Sequence, residues 1–242
     1  MVQPAILLRY TQEVFYRNLS EKRLYTPEKN VFYKSEFVRN KNFEVYGEEK
    51  NMIFHYAGKY NGDESSLPYK EHHPNATPFK EPEDTKKLSF IANAGCILIM
   101  GIFAIPFLIL GIEYIPDNAI WMMIGGICGG LSLLPHELLH AICYKKDVYM
   151  YNDLAHGLMF AVGTEDMSKG RFIFTCLCPN LILGIIPYIL FLIFPQFVGL
   201  GLFGIICIGM GFGDYLNIYN AIKQMPKNSK TYLCGMHSYW YL

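Results

Sequence analysis

The sequence predicts an all-α polytopic membrane protein with about four transmembrane helices and a small cytoplasmic N-terminal region. Hydrophobic residues make up 52% of the 242 residues, whereas charged residues make up only 17%. Most of the charge precedes residue 89, and long apolar runs dominate the rest of the chain. Four of these runs are long enough to cross the hydrocarbon core of a bilayer. The formal net charge is zero, which gives no indication of nucleic-acid binding.

Residues 1–88 are polar, mixed in charge and rich in Tyr and Phe, and they form the predicted cytoplasmic region with its linker. Apolar and polar residues alternate in 42–46 and again in 52–56, on either side of a polar segment that begins with Gly47. This pattern favours a β-hairpin. The prolines and charges of 62–87 predict an extended linker that leads into the membrane.

The membrane domain is predicted to cover residues 89–222, followed by a short cytoplasmic tail at 223–242. Its apolar runs have the length of membrane-spanning helices, about 20 residues or slightly more. The four predicted spans are 90–112, 119–144, 172–194 and 198–222.

The distribution of Lys and Arg predicts the orientation of the spans. Fourteen of the 21 basic residues precede the first span, four lie between the second and third, and three follow the fourth. The other two connections contain none. Because cytoplasmic loops carry the excess of Lys and Arg, both termini and the middle loop are predicted to be cytoplasmic.

The second predicted span ends with the pattern His-Glu-x-x-His at His136, Glu137 and His140. On a helix, two histidines four residues apart share one face, so both can bind one zinc ion while the Glu accepts a proton from water. The pattern alone occurs by chance in roughly one such chain in a hundred. In a bilayer each charged group costs about 2.5–3.5 kcal/mol, which favours a functional cluster over a buried hydrogen-bonded one.

Three further polar residues of the spans fall at the same predicted depth as the two histidines. Asp214, in the fourth span, is the candidate third zinc ligand, because a carboxylate completes a common zinc ligand set. Asn180 in the third span and Asn217 in the fourth are candidates for positioning a substrate. Intramembrane Asn also forms hydrogen bonds between helices, and that alternative remains open for both.

Other features of the spans concern helix geometry. Pro135 frees the carbonyl of Leu131 and is predicted to kink the second span. Glycines at 125–126 and 129–130 predict close packing with another helix. The weak alternation in 148–163 favours a strand or hairpin that could clamp a substrate.

The chain resembles the bacterial zincin-type membrane peptidases, a family still defined as a domain of unknown function. The resemblance covers about residues 60–225 and rests on three segments. They are His136-Glu137-Leu138-Leu139-His140-Ala141, Met167-Ser168-Lys169-Gly170-Arg171-Phe172-Ile173 and Gly213-Asp214. More distantly, the layout is similar to the site-2 proteases, which are intramembrane zinc proteases.

The resemblance implies that His136, His140 and Asp214 bind Zn²⁺ and that Glu137 is the general base. The expected function is hydrolysis of peptide bonds in or near the cytoplasmic leaflet of a bacterial cell membrane. The expected partners are the lipid bilayer and a membrane-protein or membrane-associated peptide substrate, with no nucleic acid. A zinc-binding but non-catalytic scaffold and a metal transporter are the alternatives. The sequence carries no signal for the oligomeric state.

Overall fold

The computed structural model describes residues 53–82, 85–153 and 158–242, all within one compact unit, Glu48–Leu242. Helices account for 60% of the described residues. Seven of them are α-helices. They are α1 (Thr85–Gly111), α2 (Ile115–Leu131), α3 (Leu133–Ile142), α4 (Lys169–Pro179), α5 (Ile186–Ile193), α6 (Val198–Met210) and α7 (Phe212–Gln224). A π-helical segment, Asn180–Ile185, joins α4 to α5.

Two small sheets lie in the segments outside the apolar helices. The strands are β1 (Phe54–Lys59), β2 (Thr77–Pro78), β3 (Val148–Asp153), β4 (Leu158–Val162), β5 (Met167–Ser168), β6 (Lys230–Cys234) and β7 (His237–Tyr241). The first sheet has the order β1-β3-β4 and the second has the order β2-β7-β6-β5. The expectation of an all-α protein was therefore incomplete, because these strands are short and their hydrophobic alternation is weak.

Helix α6 is the centre of the apolar part of the fold. On one side of α6, Gly201 faces Phe107 and Gly209 faces Met100, so α1 runs antiparallel to it. On the other side, Gly126 faces Leu202. Further along both helices Gly129 faces Ile206, so α2 runs parallel to α6. The chain thus turns back between α1 and α2, at the short 3₁₀ segment Ile112–Tyr114.

Two helical stretches of the described residues, Phe90–Leu131 and Lys169–Ile193, are long and apolar enough to cross a membrane. A third candidate is the pair α6 and α7, if these two helices, which meet at 50°, form one span. The number of candidates is therefore two or three, and the four spans remain a prediction. The length of Phe90–Leu131, 42 residues, includes the turn between α1 and α2.

The second predicted span is divided where the sequence predicts a kink. Helix α2 ends at Leu131, and α3 begins at Leu133 after Ser132. The hydroxyl of Ser132 donates to the carbonyl of Gly129 at 2.6 Å. Pro135 offers no N–H to the carbonyl of Leu131, which explains a break at this position.

The polar connections pair over long distances in sequence. Of the predicted N-terminal hairpin, residues 42–46 lie outside the described part, and 52–56 overlap β1, which pairs in parallel with β3. The middle loop forms the antiparallel pair β3 and β4, as its alternation suggested. The tail is folded as the hairpin β6–β7, which also pairs with β2.

Candidate metal centre

Helix α3 carries the two histidines and the glutamate of the His-Glu-x-x-His pattern on its inner side. His136 and Glu137 are buried, and His140 is partly buried. The potential ligand atoms of the three side chains all lie within 4.8 Å of one another. The Nε2 atoms of the two imidazoles are 3.2 Å apart, as expected for residues one helical turn apart. The three side chains therefore form a group that could hold a metal ion.

Asp214 reaches the same group from the first turn of α7. Its Oδ2 lies 3.1 Å from Nε2 of His136, and its Oδ1 lies 3.2 Å from Nε2 of His140. The bend between α6 and α7 places this carboxylate at a helix N-terminus, where the helix dipole favours negative charge. The structure thus brings Asp214 to two histidines that precede it by 74 residues or more in sequence.

The spacing of these three groups fits a zinc ion. Four-coordinate zinc with bonds of about 2.0–2.1 Å places neighbouring ligand atoms about 3.3 Å apart. The separations of 3.1 and 3.2 Å are close to that value. Two imidazole nitrogens and a carboxylate oxygen are also a common zinc donor set.

A backbone carbonyl of α4 fixes the orientation of His140. Its Nδ1 lies 2.9 Å from the carbonyl oxygen of Thr175. A carbonyl oxygen only accepts hydrogen bonds, so Nδ1 carries the hydrogen and the neutral ring keeps a lone pair on Nε2. That lone pair points towards His136 and Asp214. This is the outer hydrogen bond that metal-binding histidines usually make.

Asn180, the first residue of the π-helical segment, is fully buried beside Asp214. Its Nδ2 donates to Asp214 Oδ2 at 2.7 Å and to the carbonyl of Cys176 at 2.9 Å. Both amide hydrogens are therefore engaged by protein atoms, which favours a role in orienting Asp214. Asn217 is partly buried one turn after Asp214 on α7, and among the described residues its side chain has no hydrogen-bond partner.

Glu137 is held by the edge of the first sheet. Its Oε2 accepts a hydrogen bond from the N–H of Ala161 on β4 at 2.9 Å. Ala161 pairs with Met150 of β3 in the ladder, yet its N–H points away from β3 and towards α3. One carboxylate oxygen of Glu137 is thus fixed by the sheet.

Glu165 and Arg171 join the C-terminal end of α3 to the start of α4. Glu165 is buried, pairs with Arg171, and accepts from the N–H of Lys145 at 2.7 Å. Arg171 also donates to the carbonyl of Cys143, just beyond α3, at 2.8 Å. Burial alone would raise the pKa of Glu165, but the hydrogen bonds from Arg171 and the backbone outweigh it and hold that pKa below its ordinary value.

Several of these contacts were not predicted from the sequence. The role of Ala161 could not be found, because any residue could offer its N–H. The role of Gly211, which faces Asn180, also gave no local signal. The role of the Thr175 carbonyl did have a sequence signal. Pro179 follows Thr175 by four residues and has no N–H, so this carbonyl lacks its helical partner.

Comparison with known proteins gave one finding. Neither the curated proteins nor the solved structures contain a match to this chain. A family model does match, over a segment that begins in α2 and ends in β6 and includes both histidines, Glu137 and Asp214. Residues 129–230 match the family described as "putative zincin peptidase".

Proposed function

We propose that this protein is a zinc-dependent membrane peptidase that hydrolyses peptide bonds in or near the cytoplasmic leaflet. In this proposal His136, His140 and Asp214 hold Zn²⁺, and Glu137 is the general base. The observation that carries it is the convergence of three side chains, from two helices distant in sequence, with 3.1–3.2 Å between their potential ligand atoms. The family match supports the reaction class.

Each residue of the site then has a defined task. Zinc in a site with three protein ligands supplies a Lewis acid that acidifies water and polarises a carbonyl. Glu137 takes the proton from the attacking water and passes it to the leaving amine. The N–H of Ala161 holds one oxygen of this carboxylate. The other oxygen is therefore the one that carries the proton.

The asparagines divide between two tasks. Asn180 keeps Asp214 oriented through the bond of 2.7 Å, although the sequence suggested contact with a substrate carbonyl. Asn217 keeps the proposed role in positioning the substrate, since its amide is partly exposed and has no partner among the described residues.

The proposed orientation has both termini and the connection between α3 and α4 in the cytoplasm. The basic residues support it, because they occur at the termini and in that connection. The opposite directions of α1 and α2 along α6 support two separate passes in the stretch 90–131. The two sheets, which contain most of the polar connections, then lie on the cytoplasmic side with the metal centre near the adjacent leaflet.

The first test is the zinc content of the detergent-purified full-length protein. We expect about one zinc per chain in the wild type and a clear loss in His136→Ala, His140→Ala and Asp214→Ala. Asp117→Ala is the matched control, because Asp117 is an exposed aspartate at the other end of α2. Wild-type protein that binds no zinc under metal-replete conditions would refute the proposal. Zinc retained by Asp214→Ala would refute the role of Asp214.

The second test separates hydrolysis from metal binding. Glu137→Gln should retain zinc, because Glu137 is not a proposed ligand, and should lose cleavage of quenched fluorescent peptides and of single-pass membrane peptides in proteoliposomes. Removal of a general base typically lowers the rate by about 10²–10⁴-fold. Zinc-loaded wild type that cleaves no more than Glu137→Gln would instead indicate a zinc-binding scaffold.

A further inference from the structure

Pro179 interrupts the backbone hydrogen bonds of α4 immediately before the candidate metal centre. In a regular α-helix the carbonyl of Thr175 would accept from the N–H of residue 179. Proline has no N–H, so this carbonyl loses its helical partner. Pro179 is fully buried and stands at the last position of α4.

The next carbonyl also leaves the regular pattern. The N–H of Asn180 bonds to Leu177, three residues back, rather than to Cys176. The chain then continues as the π-helical segment Asn180–Ile185. Such segments are rare and frequently occur at functional sites. Two successive carbonyls, those of Thr175 and Cys176, are therefore available to side chains.

Both carbonyls accept hydrogen bonds from the candidate metal centre. The oxygen of Thr175 accepts from Nδ1 of His140 at 2.9 Å. The oxygen of Cys176 accepts from Nδ2 of Asn180 at 2.9 Å, and the same amide donates to Asp214 at 2.7 Å. One carbonyl thus orients a proposed ligand directly, and the other orients a second ligand through Asn180.

We infer that Pro179 is a positioning residue of the metal centre, acting through the two carbonyls that it frees. This inference rests on the zinc site of the proposed function. Its physical basis is that a buried carbonyl must find a donor, and in apolar surroundings the donors within reach are the side chains of His140 and Asn180. Pro179 therefore selects the tautomer of His140 that leaves Nε2 unprotonated.

The test is Pro179→Ala, which returns an N–H that competes with His140 for the carbonyl of Thr175. Zinc dissociation constants are measured by competition with a chelator of known affinity, and the thermal midpoint is measured on metal-free protein. We expect zinc affinity to fall roughly 10–100-fold, as for the loss of other outer hydrogen bonds to metal ligands. We expect the midpoint to stay equal or to rise, because a helix-breaking residue has been removed.

Pro187→Ala is the matched control. Pro187 is also buried and stands in the first turn of α5, seven residues or more beyond Asn180 and Pro179 in the same helical stretch. Its replacement should leave zinc affinity unchanged. A fall in affinity with both variants would indicate general damage to the stretch and overturn the inference, as would unchanged affinity in Pro179→Ala.

A second measurement does not depend on how the variant folds. Nitrogen NMR of zinc-loaded wild type labelled in histidine should show His140 protonated at Nδ1 and coordinated through Nε2. Coordination through Nδ1 would overturn the inference while leaving the proposed function intact. Wild type that binds no zinc refutes the proposed function itself, so the two failures can be distinguished.

Discussion

Gly211→Ala should disrupt the candidate metal centre without touching a proposed ligand. Gly211 is buried between α6 and α7, and a Cβ added there would overlap Oδ1 of Asn180 and lie 2.9 Å from its Nδ2. Asn180 is fully buried and held by two hydrogen bonds, so it cannot move aside without releasing Asp214. The backbone of Gly211 has φ −73°, outside the left-handed region that favours glycine, so the expected effect is steric.

The expected loss can be estimated from the contacts that are displaced. Removing the hydrogen bond that orients a metal ligand lowers metal affinity by about 10–100-fold, which is about 1.4–2.7 kcal/mol. Overpacking adds a stability cost of about 1–3 kcal/mol. The assay is chelator competition for zinc together with thermal unfolding of metal-free protein. Gly213→Ala is the control, because nothing lies within 4 Å of a Cβ at that position. Equal zinc affinities for the two variants would refute the reasoning.

Two further predictions concern packing and pH. Gly125→Ala should destabilise the protein by about 1–3 kcal/mol, because its Cβ would meet the backbone of Gly199. Gly130→Ala is the control and should not destabilise it, because a Cβ at Gly130 on the same helix meets open space. Similar unfolding midpoints for the two variants would contradict this prediction. Glu165 has a folded pKa below its ordinary 4.5, so its stabilising effect is complete above pH 4.5 and is lost as the pH falls through the folded value. Thermal midpoints of wild type and Glu165→Gln should therefore differ at pH 7 and converge in acid, and a difference that persists at low pH would contradict the pairing with Arg171.

The sequence contained most of the information on the chemical groups of the site. His136, Glu137, His140 and Asp214 could be selected because ionisable residues are rare within apolar runs and therefore conspicuous. A helix fixes the relation of two histidines four residues apart. The approach of Asp214 could be anticipated only from its depth, since helical rise gives the level of a residue but not the side of the helix that meets its partner.

The sheets were harder to predict, for a physical reason. Alternation identifies a strand and its inner face but does not identify its partner. The segment 52–56 was predicted as one strand of a hairpin whose other strand, 42–46, lies outside the described residues; the parallel pairing of β1 with β3, far along the chain, was not predicted. The hairpin β6–β7 lies in the segment 223–242, for which the sequence predicted a short tail but no secondary structure, because its many Tyr and polar residues give little apolar contrast. The pairing of β1 with β3 joins segments far apart in the chain, which no local pattern encodes.

The helices of this fold are interrupted close to the candidate centre, and the interruptions have a common effect. The three breaks lie at Ser132, Pro179 and Gly211. Each is followed within four residues by a residue of the candidate centre, namely His136, Asn180 and Asp214. A regular helix satisfies its own backbone groups and leaves few to orient side chains, whereas a break in apolar surroundings exposes groups that must be satisfied by side chains. The breaks therefore leave backbone carbonyls free and bring helices close together beside the candidate centre. The histidines and the carboxylate provide the matching hydrogen-bond donors and acceptors. Proline or glycine near a polar residue in an apolar run is thus a second sequence signal for this site, independent of the His-Glu-x-x-His pattern.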